Sequence, residues 1–542
     1  MAETRASESA PMLDASGAAV SAASSVESTR AAVAKEILSL GKGISLSYQG
    51  DSLIVKDRAI SKRDRSKFCG VPVGSAKPEL SIPFYNILWA EPADSAIVID
   101  YAIVTKNKVA LRKLNYPLGD IPVATVTAWA EGLLQRAYGA SQRKKRAKVL
   151  VNPHAGPGGA DKIWEHEVKP LFDAARMNLD IVRTKYSGEA VGICENLDID
   201  AYDIVVPCSG DGLPYEVFNG LGKRPDARRA LKQLAVAHIP CGSGNAMSCN
   251  LYGSHKAGPA ALAIIKGVKT PMDLMSITQG DRRILSFLSQ SFGIVAECDL
   301  GTENMRWMGA ARFNVGIVQR IFTKRTWPAE VSVKTVLADK DEIKAHYKQD
   351  RNGDSGARRA GGAARPSSLN GGSVSSDVDS GEGLPPLKYG TVNDKLPSDW
   401  ETTTQDRLGN FYCGNMGYMA PDANFFPAAL PNDGLMDLVM NDGDISATKY
   451  VDIMTSIETG AFYSKPLVSY RKIVAYRLMP KQTDGYISID GERIPFEPFQ
   501  VEIHQGLATV LSKGGRYEAP GPLGWENATA VGANGQSTTA SP

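Results

Sequence analysis

The stretch Tyr202-Asp203-Ile204-Val205-Val206-Pro207-Cys208-Ser209-Gly210-Asp211-Gly212-Leu213-Pro214-Tyr215-Glu216 decides the fold. Its opening run to Cys208 reads as a short buried strand, and Val217-Phe218-Asn219-Gly220-Leu221 beyond it reads as a helix. Between them a Gly-Asp-Gly turn sets a carboxylate, Asp211, at the C-terminal edge of a sheet. The flanking glycines let another molecule approach the backbone. The free amides of a helix start favour an anion such as phosphate. An acid beside a phosphate position suggests phosphoryl transfer.

Outward from this turn the same strand, turn and helix recur. Val149-Leu150-Val151 runs into Asn152-Pro153-His154-Ala155-Gly156-Pro157-Gly158-Gly159-Ala160, followed by helical spacing over 161–176. A strand over 179–184 ends in Thr184, and a helix over 189–195 follows. A strand over 234–239 leads into Pro240-Cys241-Gly242-Ser243-Gly244-Asn245-Ala246 and another helix start. The alternation predicts a parallel sheet with helices on both faces. Glycine junctions gathered on one edge of that sheet predict a nucleotide cleft. The first junction is not a Walker loop, since no Gly-Lys-Ser/Thr ends it; alone it reads equally as a tight turn. Thr184 alone reads as a helix cap.

Beyond Pro271 the texture changes to β-runs at 273–277, 284–287, 293–296, 437–440, 473–478 and 501–504. The predicted fold class is therefore α/β. A parallel-sheet nucleotide domain over 147–272 packs on a C-terminal antiparallel β-sandwich over 273–518, and a small β-rich region over 44–140 precedes both. That region closes with an amphipathic helix over 123–138. The tails 1–43 and 519–542, and an insertion at 349–393 rich in Gly, Ser, Arg and Asp, are expected to be disordered. The basic run Arg143-Lys144-Lys145-Arg146-Ala147-Lys148 reads as a solvated helix end, a patch for anionic lipid or a nuclear localisation signal.

Length and composition bound the rest. A chain of 542 residues holds two or three domains. Its net charge of +2 makes no case for nucleic acid. The cysteines at 69, 194, 208, 241, 249, 298 and 413 form no CxxC pair, which argues against a disulfide framework or zinc site and for a reducing compartment. The first 30 residues lack a signal-type apolar core, and no run of about 18 apolar residues occurs. The expectation is a cytoplasmic chain, not secreted, without a transmembrane helix, and open to peripheral membrane association.

Ser209 to Glu216, taken with Gly242-Ser243-Gly244-Asn245-Ala246, resembles the diacylglycerol kinase-type catalytic domain. More narrowly, Ile239 to Ser248 resembles the sphingoid long-chain-base kinases, above all the fungal ones. Leu285-Ser286-Phe287-Leu288-Ser289-Gln290, Arg306-Trp307-Met308-Gly309, Phe425-Phe426-Pro427-Ala428-Ala429-Leu430-Pro431 and Ile489-Asp490-Gly491-Glu492 extend the match. It runs from about 149 to about 517, the insertion excepted. The resemblance implies an active site in the cleft between the α/β domain and the β-sandwich, with ATP and Mg2+ as cofactors. It implies phosphorylation of the C1 hydroxyl of sphingosine, dihydrosphingosine or phytosphingosine at a peripheral membrane surface. It leaves the magnesium ligands and the oligomeric state open.

The same resemblance implies roles. Asp211 matches the catalytic aspartate, the base for the substrate hydroxyl, with Ser209, Gly210 and Gly212 beside it at the substrate. Asn152, Pro153, His154, Thr184, Glu216, Gly242, Ser243 and Gly244 match nucleotide contacts, and Arg306 and Arg312 match arginines that approach the ATP phosphates. Asp490, Gly491 and Glu492 match a late acidic turn that returns to the nucleotide; alone they read as a hairpin turn. Asp299 matches the acid that recognises the amine and hydroxyl of the head; alone it reads as a loop cap. A carboxylate there favours an amino alcohol over diacylglycerol. Apolar residues over 313–322 read as an acyl-chain lining or a packed helix.

One departure stands out. Many family members have a Gly-Gly-Lys-Gly-like turn where this chain has Ala155-Gly156-Pro157-Gly158, so a lysine and one amide donor are missing. The competing readings are a ceramide or diacylglycerol kinase, a catalytically dead lipid-binding regulator and an NAD kinase. The last shares the Gly-Asp-Gly turn but not the Gly-Ser-Gly-Asn-Ala loop.

Overall fold

The computed structural model describes residues 36–41, 43–57, 79–105, 108–156, 159–301, 325–351 and 382–524. They form two compact units, one over 1–103 and 111–139, the other over 104–110 and 140–542.

In the first unit Ile37–Ser39, Ser45–Gln49, Ser52–Lys56 and Glu79–Pro83 pair in sequence as an antiparallel sheet. Ile87–Ala93, Ala96–Val104 and Val109–Pro117 make a second sheet of three strands. The helix Val123–Tyr138 forms where its spacing predicted, burying Val126, Trp129, Ala130, Leu133 and Leu134 along one stripe. Tyr48 stacks on Trp129 at 5.0 Å and ties sheet to helix. Pairing already begins at Ile37, with Leu38 buried opposite Leu46, so the expected tail of 1–43 is too long at its C-terminal end.

The second unit is organised by one mixed sheet of 16 strands. Its parallel part contains β1 (Arg146–Val151), β2 (Asn178–Arg183), β3 (Ile204–Ser209), β4 (Ala235–Val236) and β5 (Ile239–Pro240). β1 pairs with β2 and with β3, and β3 pairs with both β4 and β5, all in parallel. Connections run to opposite sides of β1, so the loops after β1 and β3 flank a topological switch point, the usual place for a ligand crevice in such sheets. The crossover helices that matter are α1 (Glu189–Glu195), α2 (Gly212–Gly222), α3 (Ala246–Tyr252) and α4 (Ala257–Lys266).

Local chemistry moves some boundaries. The helix expected over 161–176 is broken by a π turn, Trp164–Val168, just before Pro170, which has no N–H to give. The strand expected over 234–239 is two short pieces, because the His238 N–H leaves the ladder for the Tyr252 hydroxyl at 3.1 Å.

The rest of the sheet is antiparallel: β6 (Val268–Gln279), β7 (Arg282–Ser286), β8 (Ser289–Gly293), β9 (Ala329–Leu337), β10 (Glu401–Gln405), β11 (Leu408–Gly414), β12 (Met436–Asp442), β13 (Ser469–Pro480), β14 (Ile487–Ile489), β15 (Glu492–Ile494) and β16 (Phe499–Ser512). Met275, Phe292, Val331, Phe411, Leu438, Tyr476, Ile489 and Val501 from these strands share one core. β16 lies antiparallel to β6 and β13, yet its Thr509 and Val510 pair in parallel with Ala235 and Val236 of β4. The expected two-domain division is thus bridged by the last strand.

The insertion is narrower than 349–393. A helix, Lys340–Arg351, runs through its expected start. Near its expected end Lys388 N and Tyr389 N donate to the Glu502 carboxylate at 2.9 Å. Buried Ala519 likewise falls inside the expected tail 519–542. Among the described residues no helix is long and apolar enough to cross a membrane, and the cysteines at 194, 208, 241, 249, 298 and 413 are buried.

Candidate active site

The C-terminal edge of the parallel strands is closed by backbone contacts between the glycine loops. Asn152 N donates to Cys208 O at 3.1 Å, Cys241 N to Ser209 O at 2.8 Å and Thr184 N to Val151 O at 2.9 Å. These bonds set the chain ends after β2, β1, β3 and β5 side by side. A Cβ on Gly242 would lie 2.5 Å from Gly210 Cα, and one on Gly156 would lie 2.5 Å from Cys241 O. No side chain fits at either position, so these glycines are required for the loops to meet. Asn245, at φ 56°, locks its own loop by accepting from Gly242 N at 2.9 Å and donating to Gly242 O at 2.7 Å. Asn152 Oδ1 accepts from His154 N at 3.0 Å, and exposed Ser243 stands on the rim. Pro153 is half-buried between them.

Asp211 is the N-cap of α2, and its carboxylate points at the start of α3. Oδ2 accepts from Ala246 N at 2.9 Å and Oδ1 from Met247 N at 3.0 Å. Two amides of a helix start thus hold the carboxylate, as helix ends favour negative charge. A carboxylate has about four lone-pair sites, so acceptor capacity remains for a substrate hydroxyl. A Cβ on Gly244 would touch Oδ2 at 3.3 Å, which keeps the glycine loop directly over the acid.

The other acids divide. Glu216 accepts from Gly188 N at 2.9 Å and Ala190 N at 3.1 Å, which caps α1. Asp490, at φ 52° beside Gly491 at φ 85°, forms the β14–β15 hairpin turn. Its buried carboxylate accepts from Ser286 Oγ at 2.6 Å, Phe287 N at 2.9 Å, Leu288 N at 3.1 Å and Ser289 N at 2.8 Å. Burial pushes its pKa up to about 6 although these donors favour the anion. In this structure both acids hold the protein's own backbone, Glu216 through two amides and Asp490 through three amides and a hydroxyl.

Glu492 differs: its Oε1 lies 3.2 Å from where a Gly212 Cβ would be, so the hairpin does reach the Gly-Asp-Gly turn. On the hairpin's other side Asp299, in the helix α5 (Ile294–Leu300), accepts from Ser488 Oγ at 3.0 Å. A Cβ on Gly491 would lie 4.0 Å from Asp299 Oδ2. One hairpin therefore links the position of Asp299 to that of Asp211. Arg306, Arg312, Pro157 and the apolar run 313–322 lie outside the described residues.

The sequence reading missed His238. It is fully buried behind Asp211, with Nε2 3.0 Å from Ser209 O and Nδ1 3.9 Å from Asp211 Oδ1. The available signal was a single imidazole in the otherwise apolar run Leu234 to Ile239.

A diacylglycerol kinase catalytic domain model matches residues 146–277, and a domain of unknown function (DUF7493) matches residues 36–139. Sphingoid long chain base kinase 5 of Saccharomyces cerevisiae is 37% identical over 427 residues, covering 71% of this chain and 62% of that protein. Sphingoid long chain base kinase 4 of Schizosaccharomyces pombe is 35% identical over 464 residues, covering 85% of this chain and 94% of that protein. The chain belongs to the sphingoid long-chain-base kinase family. Within that family Sphingosine kinase 1 of Homo sapiens is 27% identical over 388 residues, covering 69% of this chain and 92% of that protein. A crystal structure of a diacylglycerol kinase from Bacillus anthracis str. Sterne superposes with a TM-score of 0.43 at 16% identity, covering 69% of this long-chain-base kinase relative and 98% of that chain.

Proposed function

We propose that the chain transfers the γ-phosphoryl group of ATP to the C1 hydroxyl of a sphingoid long-chain base. The observation that carries this reading is the convergence of Gly156, Gly210 and Gly242 around the amide-held carboxylate of Asp211, in a chain 35% identical to a long-chain-base kinase over nearly all of that relative. The phosphates would lie over the glycine loops, met by the backbone of Asn152, Pro153, His154, Gly242, Ser243 and Gly244. Arg306 and Arg312 would neutralise them from beyond the described residues. Magnesium would enter with the nucleotide as MgATP. Such ions commonly rest on phosphates, water and one or two carboxylates.

Phosphoryl transfer asks the protein for position and charge more than for covalent chemistry. Asp211 orients the hydroxyl and takes its proton as the O–P bond forms. Glu216 and Asp490 act at one remove, holding the α1 start and the β7–β8 turn. Asp299 would face the substrate ammonium. Its Asn variant is expected to raise the KM for sphingoid bases several-fold, with ATP KM unchanged and a smaller effect on an N-acylated substrate; equal losses on both would make Asp299 structural.

The deciding experiment incubates the purified chain with MgATP and sphingosine, dihydrosphingosine, phytosphingosine, ceramide and diacylglycerol, and identifies products by mass. Phosphate on the long-chain bases is expected. Phosphate only on ceramide or diacylglycerol overturns the substrate assignment, and none on any lipid overturns the kinase reading.

A further inference from the structure

We infer that His238 is a positioning residue and proton store for Asp211, an inference that rests on the kinase reading. The geometry fixes the tautomer. A carbonyl only accepts, so the contact between Nε2 and Ser209 O at 3.0 Å puts the ring proton on Nε2. Nδ1 is then a bare lone pair. It is buried, has no hydrogen-bond partner and lies 3.9 Å from Asp211 Oδ1. Two acceptors thus face each other with no proton between them. A buried polar atom left unpaired costs stability, and a buried one behind a reacting carboxylate calls for a use.

The reaction supplies the missing proton. As the substrate O–H bond breaks and the O–P bond forms, ADP leaves with the electron pair of its bridging oxygen and the proton arrives on Asp211. On Asp211 that proton competes with bonds already made, because each carboxylate oxygen accepts a backbone amide, Oδ2 from Ala246 N and Oδ1 from Met247 N. Moving the proton to Nδ1 restores the anion with its amide bonds intact. The resulting imidazolium lies between a carboxylate and a carbonyl that both stabilise it. The transfer needs a closure of roughly 1 Å from the present separation to hydrogen-bond distance. On product release the proton returns through Asp211 to solvent.

Asp211 is the charged group near the ring; the Ser209 carbonyl of β3 meets its Nε2, and the Tyr252 hydroxyl of α3 accepts from the His238 backbone N–H. Burial lowers the basicity of His238 more than Asp211 raises it, so the ring rests neutral and ready to accept.

The chain has six histidines, so nitrogen-15 spectra can follow His238 directly. In the wild type its titration should lie at higher pH than in Asp211→Asn, where the stabilising anion is gone; identical titrations overturn the pairing. His238→Gln keeps an N–H for Ser209 O but cannot take a proton. Its kcat at pH 7 should fall at least tenfold, with ATP KM within twofold of wild type, and the acid limb of kcat/KM should move to lower pH. An unchanged kcat, or a lower kcat with an unmoved limb, overturns the proposal. Should His238→Gln not fold, the spectra alone decide. A wild type without turnover on the lipid panel overturns both this proposal and the kinase reading.

Discussion

Asp211 and Asp490 show how little a residue's type says about its task. Both stand in turns beside a following glycine and both accept backbone amides, but Asp211 keeps acceptor capacity at an open edge while Asp490 is buried under four donors. Asp211→Asn retains one acceptor and turns an amide toward Ala246 N or Met247 N. Single-turnover rate is expected to fall roughly 10²-fold or more, with ATP still bound and a modest loss of melting temperature. Near wild-type turnover would remove Asp211 from the chemistry. Asp490→Asn should behave oppositely. Orphaned buried donors cost about 1–3 kcal/mol, so the melting temperature should drop while the Kd for ATP stays within twofold. A weaker Kd at unchanged melting temperature would return Asp490 to the nucleotide site. The position of Asp211 was legible because strand, turn and helix are consecutive. The tasks of Glu216 and Asp490 were not, because their partners at 188–190 and 286–289 are remote in sequence.

At the scale of elements, periodicity placed the parallel strands and their glycine loops well, since each depends on neighbours in sequence. It failed where one polar group diverts a strand, as His238 does between β4 and β5. The same holds at Asp273 in β6, where pairing with β16 shifts register between Met272 and Leu274. There the buried carboxylate accepts from Gly434 N at 2.7 Å and Gly506 N at 2.6 Å. Burial, reinforced by nearby Asp433, pushes its pKa up to about 8. The unfolded value is near 3.9, so the folded state holds the extra proton between those limits. The stability this group contributes is therefore complete at low pH and is lost as pH rises through about 8. Melting temperature should fall from pH 6 to pH 9, and Asp273→Asn should flatten that slope. An equally steep slope in the variant would assign the pH dependence elsewhere.

At the scale of the whole molecule, the last strand pairs on both sides of the boundary expected near 272 from the change to β-runs. The catalytic domain model stops at residue 277, before any residue of β16. Yet β4 has β3 on one side and Thr509 and Val510 of β16 on the other. Without β16, buried Val236 and Leu234 would face water along an open edge, the kind of edge that invites aggregation. β6 would lose its long antiparallel partner at the same stroke. The helix α3, whose first amides hold Asp211, is tied at its other end to the same region: Lys513 N donates to Leu251 O at 3.0 Å and Glu518 N to Asn250 O at 2.7 Å. Long-range pairing of this kind leaves no trace in local periodicity, which is why the last strand read as one more β-run. Two pieces follow from the argument. A chain of residues 146–277 should be insoluble or unfold without a cooperative transition, whereas one of residues 140–524 should unfold as a single unit in urea. Cooperative unfolding of the short piece, or two separate transitions in the long one, would show that the nucleotide-type core stands alone and that β16 only leans on it.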